Sequence, residues 1–247
     1  MSFRRLDDYE ENFLKENDFE RVREKYRRRI VLEFLSRRNA RRILEIGCGI
    51  SPLFTDVAGF DEFHIVEPIP SFVERATELA AGDSRIFFHQ SRLEDEPGLS
   101  GAGPFDAIVA SSILHEVEDS DIFLEKIRAL CTTETTVHFN ASNAKSFHNL
   151  IAFEMGLIGD PHELSKRAVR LQRKRVFDPE TLVECLNKRG FRCVESGTFF
   201  FKPFPDSQMQ KLLEEGVLNE QMLEAYMKVI KYIPDFGSEI YAHVQVS

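Results

Sequence analysis

The 247-residue chain lacks several features that would place it in a special class. Its four cysteines form no C-x-x-C pair and no metal-ligand spacing, which predicts free thiols, no metal site and a cytoplasmic location. Its first residues are charged without an apolar signal region, and no apolar run approaches membrane-spanning length. The formal net charge of −9 argues against a protein that neutralises nucleic-acid phosphates. With 43% hydrophobic residues, the sequence predicts one domain over 1–247.

Residues 42–53 predict a strand, a glycine turn and a helix start in direct succession. The aliphatic run after Arg42 is typical of a buried parallel strand, and it breaks at Gly47-Cys48-Gly49. A serine followed by a proline, Ser51-Pro52, is a common helix N-terminus. A ligand can lie against bare backbone at such a turn, near the helix dipole.

The residues around this turn narrow the choice of ligand. A dinucleotide fingerprint would have a third glycine where Pro52 stands, and a P-loop would have Gly-Lys-Ser/Thr. The turn is instead preceded by Glu45, whose carboxylate would repel a pyrophosphate but suits a ligand that carries an ammonium and a sulfonium. Glu67 ends the next predicted strand about 20 residues past Gly47, where an acid binds ribose hydroxyls in nucleotide folds. The alternative is an ordinary turn of another α/β protein.

The pattern Glu-x-Gly-x-Gly at 45–49, with Glu67 downstream, resembles motif I of the class I S-adenosylmethionine-dependent methyltransferases. The resemblance extends to the final strand and implies S-adenosylmethionine as cofactor. It implies a role in cofactor binding for Glu45, Gly47, Cys48, Gly49, Glu67, Pro68, Arg92, Leu93, Glu94 and Ser111. N-terminal helices of this family often cover the cofactor, so Tyr9, Tyr26 and Arg27 are further candidates.

The segment after the fourth predicted strand, 111–119, corresponds to the part of small-molecule methyltransferases that lines the acceptor pocket. It has neither Asn/Asp-Pro-Pro-Tyr/Phe nor Pro-Cys, which argues against a nucleic-acid base as acceptor. His115 is a candidate general base because imidazole titrates near neutral pH. Many relatives have Leu-Glu-His-Val where this chain has Leu114-His115-Glu116-Val117, so the histidine is displaced by one residue. His115 could instead point at the core or at solvent.

After the fifth predicted strand, the chain resembles a subgroup that carries Pro-Asn-Ala followed by Ser-Leu-His-Arg. Asn143, Ala144, Ser146 and His148 match this pattern, while Ser142 replaces the proline. The subgroup is often associated with polysaccharide and nucleotide-sugar biosynthesis, which implies a polar acceptor. Asn143, His148 and, in a later Lys-Pro-Phe element, Lys202 become candidate acceptor-binding residues, with His148 as a second candidate base. The alternative is a capped helix start with a buried histidine.

The sequence contains two basic clusters whose roles it does not determine. The first, on a predicted helix over 8–38, favours a solvated helix face over an RNA-binding arm because the chain is acidic. The second comprises Arg167, Arg170, Arg173, Lys174 and Arg175. If the second cluster faces the pocket it indicates an acceptor with a phosphate or carboxylate, and if it faces water it indicates nothing.

The predicted fold is a Rossmann-like, doubly wound α/β domain with a seven-stranded sheet in the order 3-2-1-4-5-7-6, strand seven antiparallel. Residues 1–40 are predicted as an N-terminal helical cap, and 144–178 and 205–234 as acceptor-side helical insertions. The second insertion is long enough for a lid or a homodimer contact. Residues 238–246 alternate as a closing edge strand.

The predicted activity is O-methylation of a polar small molecule without nucleic-acid or membrane partners. N-methylation, methylation of RNA and a non-catalytic cofactor-binding role remain alternatives.

Overall fold

The computed structural model describes residues 6–15 and 18–247. Within these residues, seven strands form one sheet in the order β3-β2-β1-β4-β5-β7-β6, which confirms the predicted strand order. The strands are β1 (Arg42–Ile46), β2 (Glu62–Val66), β3 (Ile86–His89), β4 (Ala107–Ser111), β5 (Thr136–Ser142), β6 (Phe191–Phe201) and β7 (Gly237–Val246). The first five are parallel, and β7 pairs antiparallel with both β5 and β6.

Helices cover both faces of this sheet and extend beyond its C-terminal strands. They are α1 (Leu6–Leu14), α2 (Asp18–Arg38), α3 (Pro70–Ala80), α4 (Ser120–Ala129), α5 (Phe147–Glu154), α6 (Lys166–Arg170), α7 (Pro179–Asn187), α8 (Asp206–Glu214) and α9 (Glu220–Lys228). The predicted helix over 8–38 is therefore two helices, and the predicted insertions contain α5, α6, α8 and α9. The α/β fold with helical extensions is as the sequence predicts.

Successive residues of β1 enter two different cores because side chains alternate across a strand. Ile43 packs with Val31 and Phe34 of α2, whereas Leu44 packs on the opposite face with Phe139 of β5. Glu45 shares a face with Ile43. The alternation therefore turns the carboxylate of motif I toward the α2 side of the sheet.

The prediction of a helix that starts at Ser51 is wrong. A single 3₁₀ turn, Leu53–Thr55, stands there instead. Two contacts explain the tight turn: the Glu45 carboxylate accepts the Leu53 N–H at 2.9 Å, and Arg28 donates to the carbonyls of Ser51 and Pro52. The sheet face that such a helix would cover is occupied by α2.

The predicted position of the last strand at the sheet edge is also wrong. β7 lies between β5 and β6, so β6 is the edge strand. The register between β5 and β7 places His138 opposite His243 and Ser142 opposite Glu239. Polar side chains of two central strands consequently meet on one face of the sheet.

Candidate functional site

A cleft of about 280 Å³ opens where β1, β2 and β4 end, beneath α1 and α2. Parallel strands of such sheets place ligands at their carboxyl ends, at the point where the strand order reverses. Seven of the ten predicted cofactor residues line the cleft: Glu45, Gly47, Cys48, Gly49, Glu67, Pro68 and Ser111. The predicted cofactor end of the site therefore lies in one continuous cleft.

Two buried carboxylates face this end, and backbone N–H groups fix both. Glu67 accepts the N–H of Gly49 at 3.2 Å and that of Ile69 at 3.0 Å. Glu45 accepts the N–H of Leu53, and each carboxylate residue is 4% exposed. Burial raises the pKa of Glu45 to about 8, although the Leu53 N–H and the Arg28 charge oppose that shift. A cationic ligand group near Glu45 would favour its ionised form.

The glycines of the turn leave space that other residues would fill. Gly47 and Gly49 have φ angles of +78° and +53°, a region that disfavours residues with a Cβ. A Cβ on Gly47 would lie 3.1 Å from Cδ1 of Ile113, and one on Gly49 would lie 3.5 Å from Cζ of Phe13. Positive φ explains the glycine at both positions, and the close approach of Ile113 adds a second reason at Gly47.

Helix α1 forms part of the cleft cover. The ring of Phe13 lies 5.6 Å from that of Phe72 in α3 and 5.8 Å from that of Tyr9, and the Ser71 hydroxyl donates to Glu10 at 2.6 Å. Tyr9 and Arg27 line the cleft, as the family resemblance suggested. Tyr26 instead stacks on Phe200 at 4.7 Å and is fully buried.

Beyond the glycine turn, the cleft ends in charged side chains from distant parts of the chain. Arg27, Arg167, Arg173, Glu20 and Glu116 line this region, which we call the charged end. Glu20 lies 2.7 Å from Arg167 and 3.2 Å from Arg27. Of the second basic cluster, Arg167 and Arg173 thus face the cleft.

Behind the charged end lies a buried ion-pair network centred on Arg23. Arg23 is 3% exposed and pairs with Glu239, with Glu20 at 3.0 Å and with Asp206 at 3.1 Å. The first basic cluster, on the helix predicted over 8–38, was expected to face solvent. This expectation is wrong for Arg23, because α2 turns this arginine toward β7 and α8. Although burial opposes ionisation, Arg23, Arg27 and Arg167 lower the pKa of Glu20 to about 2. Burial likewise opposes ionisation of Glu239, yet Arg27 and Arg23 lower its pKa.

At the turn after β4, Glu116 lines the cleft together with Ser112 and Ile113. Its Oε1 lies 3.6 Å from Nε of Arg173. His115 is 3% exposed, and neither of its ring nitrogens has a hydrogen-bond partner among the described residues. Burial and the Arg173 charge lower the pKa of His115 to about 4. The one-residue displacement in the sequence was the signal that could have identified Glu116.

The three predicted acceptor-binding residues contact other parts of the protein. The Asn143 amide donates to the carbonyls of Asp235 and Gly237 and accepts the Lys145 N–H, so it fixes a loop. His148 lies 3.2 Å from the Ser146 hydroxyl, and Lys202 pairs with Asp206. Burial, followed by the charge of Lys202, lowers the pKa of His148. As far as the structure describes the cleft wall, it includes none of the three, and their roles stay predictions.

The segment 92–94, which the resemblance also assigns to the cofactor, lies next to the core. Leu93 is 3% exposed and packs with Ile46 and Val66, while burial raises the pKa of Glu94. Arg92, Leu93 and Glu94 are outside the cleft wall that the described residues form. Their contact with the cofactor also stays a prediction.

The described residues contain no group of three or more His, Cys, Asp or Glu side chains arranged to hold a metal ion. None of their helices combines the length and the apolar character that crossing a membrane requires.

A family model described as "Methyltransferase domain" matches residues 19–196. No curated protein matches the chain. Among solved structures, N-methyltransferase NodS from Bradyrhizobium japonicum WM9 with S-adenosyl-L-homocysteine is 16% identical, with a TM-score of 0.55 over 94% of this chain and 90% of NodS.

Two other structures are similar in fold. Magnesium protoporphyrin IX methyltransferase from Synechocystis PCC 6803, with bound S-adenosylhomocysteine, is 11% identical, with a TM-score of 0.61 over 98% of this chain and 94% of that one. A possible histamine N-methyltransferase from Thermotoga maritima is 19% identical, with a TM-score of 0.54 over 92% and 97%. At these identities the similarity concerns the fold alone.

The residues of the cleft fit the cofactor of this family. The glycine turn exposes backbone, Glu67 is a buried carboxylate where a ribose acid was predicted, and Glu45 is a buried carboxyl group that a cation would stabilise in its ionised form. The chain belongs to the methyltransferase family, and its cofactor is S-adenosylmethionine.

Proposed function

We propose that the protein transfers a methyl group to an oxygen of a polar small molecule that carries an anionic group, with Glu116 accepting the proton. The observation that carries this proposal is the position of Glu116, which is 6% exposed and lines the cleft beside Arg173. Bound S-adenosylmethionine supplies an already activated methyl group. The protein then has to align the acceptor, exclude water and remove one proton.

The charged end supports an acceptor with a phosphate or carboxylate. Arg167 and Arg173 line it, and guanidinium groups bind such anions through paired hydrogen bonds. Nε of Arg173 is buried and lies 3.6 Å from the Glu116 carboxylate, so the guanidinium and the carboxylate lie side by side in the cleft wall. An acceptor anion at Arg173 would bring a neighbouring hydroxyl toward Glu116.

The cover of the cleft supports the exclusion of water. Tyr9 and Phe13 of α1 line the cleft above the glycine turn. We further propose that the cap, 1–40, and the insertion 144–178 shape the acceptor site, because both contribute lining residues such as Arg27 and Arg173. The insertion 205–234 supports the charged end from behind through Asp206.

The test is a screen of hydroxylated, phosphate- or carboxylate-bearing metabolites with a methyl-labelled donor, followed by Glu116→Gln on the acceptor found. Loss of the base is expected to reduce kcat about 10²- to 10⁴-fold. Glu118→Gln is the matched control, because Glu118 lies on the same turn and pairs with Lys174 at 3.1 Å. An unchanged kcat in Glu116→Gln contradicts the proposal. Cofactor binding without transfer to any acceptor favours a non-catalytic role.

A nitrogen acceptor is the second candidate, favoured by the carboxylates of Glu116 and Glu20 in the cleft wall. These carboxylates would bind an uncharged amine by accepting its N–H groups. The amine attacks through its own lone pair, and the methylated ammonium then loses a proton to water without a strong base. Glu116→Gln would then raise KM for the acceptor more than it lowers kcat. The ratio of the two effects distinguishes the candidates.

A further inference from the structure

A line of polar side chains lies buried between the sheet and α2. His138, Asn140 and His243 are 0%, 0% and 3% exposed, and the ring of Phe34 stacks on that of His243 at 4.5 Å. Buried polar groups are costly unless each has a hydrogen-bond partner. The hydrogen bonds between these side chains therefore show which parts of the protein they connect.

One end of the line is fixed by a backbone N–H group. The N–H of Ser112 donates to Oδ1 of Asn140 at 2.7 Å. Because a backbone N–H can only donate, this bond determines the orientation of the Asn140 amide. Nδ2 of Asn140 must then donate to Nε2 of His138, 3.0 Å away.

The remaining bonds follow from the first. With Nε2 of His138 accepting, its Nδ1 carries the proton and donates to Nε2 of His243 at 3.0 Å. Nδ1 of His243 then donates to the carboxylate of Glu195 at 3.3 Å. Starting instead from Glu195, which when ionised can only accept, gives the same assignment. Each bond has one donor and one acceptor only when both imidazoles are neutral.

The pKa shifts of His138 and His243 agree with neutral imidazoles. Burial and the neighbouring His243 lower the pKa of His138, and burial lowers the pKa of His243 although Glu195 opposes that shift. Against burial, Arg37 and His243 lower the pKa of Glu195 and keep its carboxylate ionised. We call Asn140, His138, His243 and Glu195 the histidine chain.

The cleft end of the histidine chain holds a strained turn. Ser112 has a φ of +56°, a region costly for residues with a Cβ, and its hydroxyl also lies 3.1 Å from Oδ1 of Asn140. Ser111 and Ser112 both line the cleft, next to Glu116. Strain of this kind persists only where surrounding contacts impose it, and Asn140 supplies those contacts.

We propose that the histidine chain is a set of positioning residues, which holds the Ser111–Ser112 turn from the β6 edge of the sheet and thereby sets the affinity for the cofactor. This inference deepens the proposed function and rests on its cofactor site. The outer end, Glu195, is 40% exposed in its side chain and also pairs with Arg37 at 3.2 Å. Changes there are expected to reach the cleft through three side chains.

The first test measures S-adenosylhomocysteine affinity by calorimetry for His243→Leu, with the melting temperature measured in parallel. His243→Leu is expected to weaken binding about tenfold, because the chain loses both bonds of the central ring. The control is His64→Leu, since His64 is 5% exposed and pairs with another histidine, His89, at 3.1 Å. His243→Gln keeps one acceptor and one donor and is expected to restore part of the affinity.

The second test begins at the surface, where loss of folding is of no concern. Glu195→Ala removes the last acceptor and is expected to weaken binding about threefold. Arg37→Ala breaks the Arg37–Glu195 pair but leaves the histidine chain intact, so its affinity is expected to match the wild type. If the wild type binds and Glu195→Ala binds equally well, the inference is wrong while the proposed function stands. If His64→Leu or Arg37→Ala weakens binding as strongly as its partner variant, the effect is general loss of packing and the inference also fails. A wild type that binds no S-adenosylhomocysteine overturns both.

Discussion

The two ends of the cleft hold their charges in different ways. At the cofactor end, backbone N–H groups 2, 8 and 18 residues away fix Glu45 and Glu67. At the charged end, arginines from α2 and α6 pair with Glu20, and the network behind them reaches Glu239. The first arrangement follows from a short segment of sequence, whereas the second exists only after distant elements have packed.

The distance along the sequence between the contacting residues explains what each end of the cleft contributes. A local turn presents the same backbone groups in any protein with this motif, which suits a cofactor shared by a family. A network assembled from positions as far apart as Arg23 and Glu239 is set by packing, which suits an acceptor particular to one protein. The comparison leads to three predictions, ordered from the largest expected effect to the smallest.

Breaking the network at its centre is expected to have the largest effect. Arg23→Met removes one cationic partner from Glu239 and one from Asp206, which keep Arg27 and Lys202, and should lower the free energy of unfolding by about 3 kcal/mol, the lower end for breaking a buried pair. Urea denaturation measures this change. The control Lys25→Met breaks an ion pair whose side chains are 55% and 63% exposed, and its effect should stay below about 1 kcal/mol. Equal effects of the two variants would show that the network adds nothing specific.

At the cofactor end, Glu67→Gln should weaken binding and also lower stability, because the amide NH2 would face one of the two backbone N–H groups that the carboxylate now accepts. Hydrogen bonds to charged groups contribute about 1.5–3 kcal/mol, which corresponds to a roughly 10- to 100-fold weaker affinity for S-adenosylhomocysteine. Calorimetry measures the affinity, with Glu62→Gln on the same strand as a half-exposed control. Unchanged binding in Glu67→Gln would show that this carboxylate does not bind the ribose of the cofactor.

The third prediction concerns protons at Glu45. Burial raises its pKa from 4.5 to about 8, so the folded protein holds this proton at pH values where the unfolded chain has lost it. A raised pKa means that this contribution to stability is full below pH 4.5 and is lost as the pH rises toward 8. The cationic amino group of S-adenosylhomocysteine near Glu45 should favour ionisation and release less than one proton per molecule bound at pH 7.

Calorimetry in buffers of different ionisation enthalpy counts these protons. Glu45→Gln should abolish the release, while Glu24→Gln, another carboxylate of the cleft wall, should leave it unchanged. Release that persists in Glu45→Gln would assign the proton to another group.

Prediction from the sequence succeeded where the signal was local. The glycine turn and the inclusion of Glu45 and Glu67 in one cleft follow from the pattern over 42–67, and the strand order was predicted by analogy with the family that this pattern resembles. The helix after Ser51 was predicted from an equally local signal and failed, because α2 occupies its place on the sheet. Local propensity loses where tertiary packing offers the same apolar surface a longer partner.

By itself, the sequence determined the alternation of β1, the conformational freedom of Gly47 and Gly49, and the cofactor class, because each depends on neighbouring residues. Only the tertiary structure decided that Glu116 rather than His115 lines the cleft, that Arg23 is buried, and that His138 meets His243. Which side chains of neighbouring strands and helices meet depends on contacts between residues far apart in the sequence, such as His138 and His243 or Arg23 and Glu239. No pattern within a single segment contains that information.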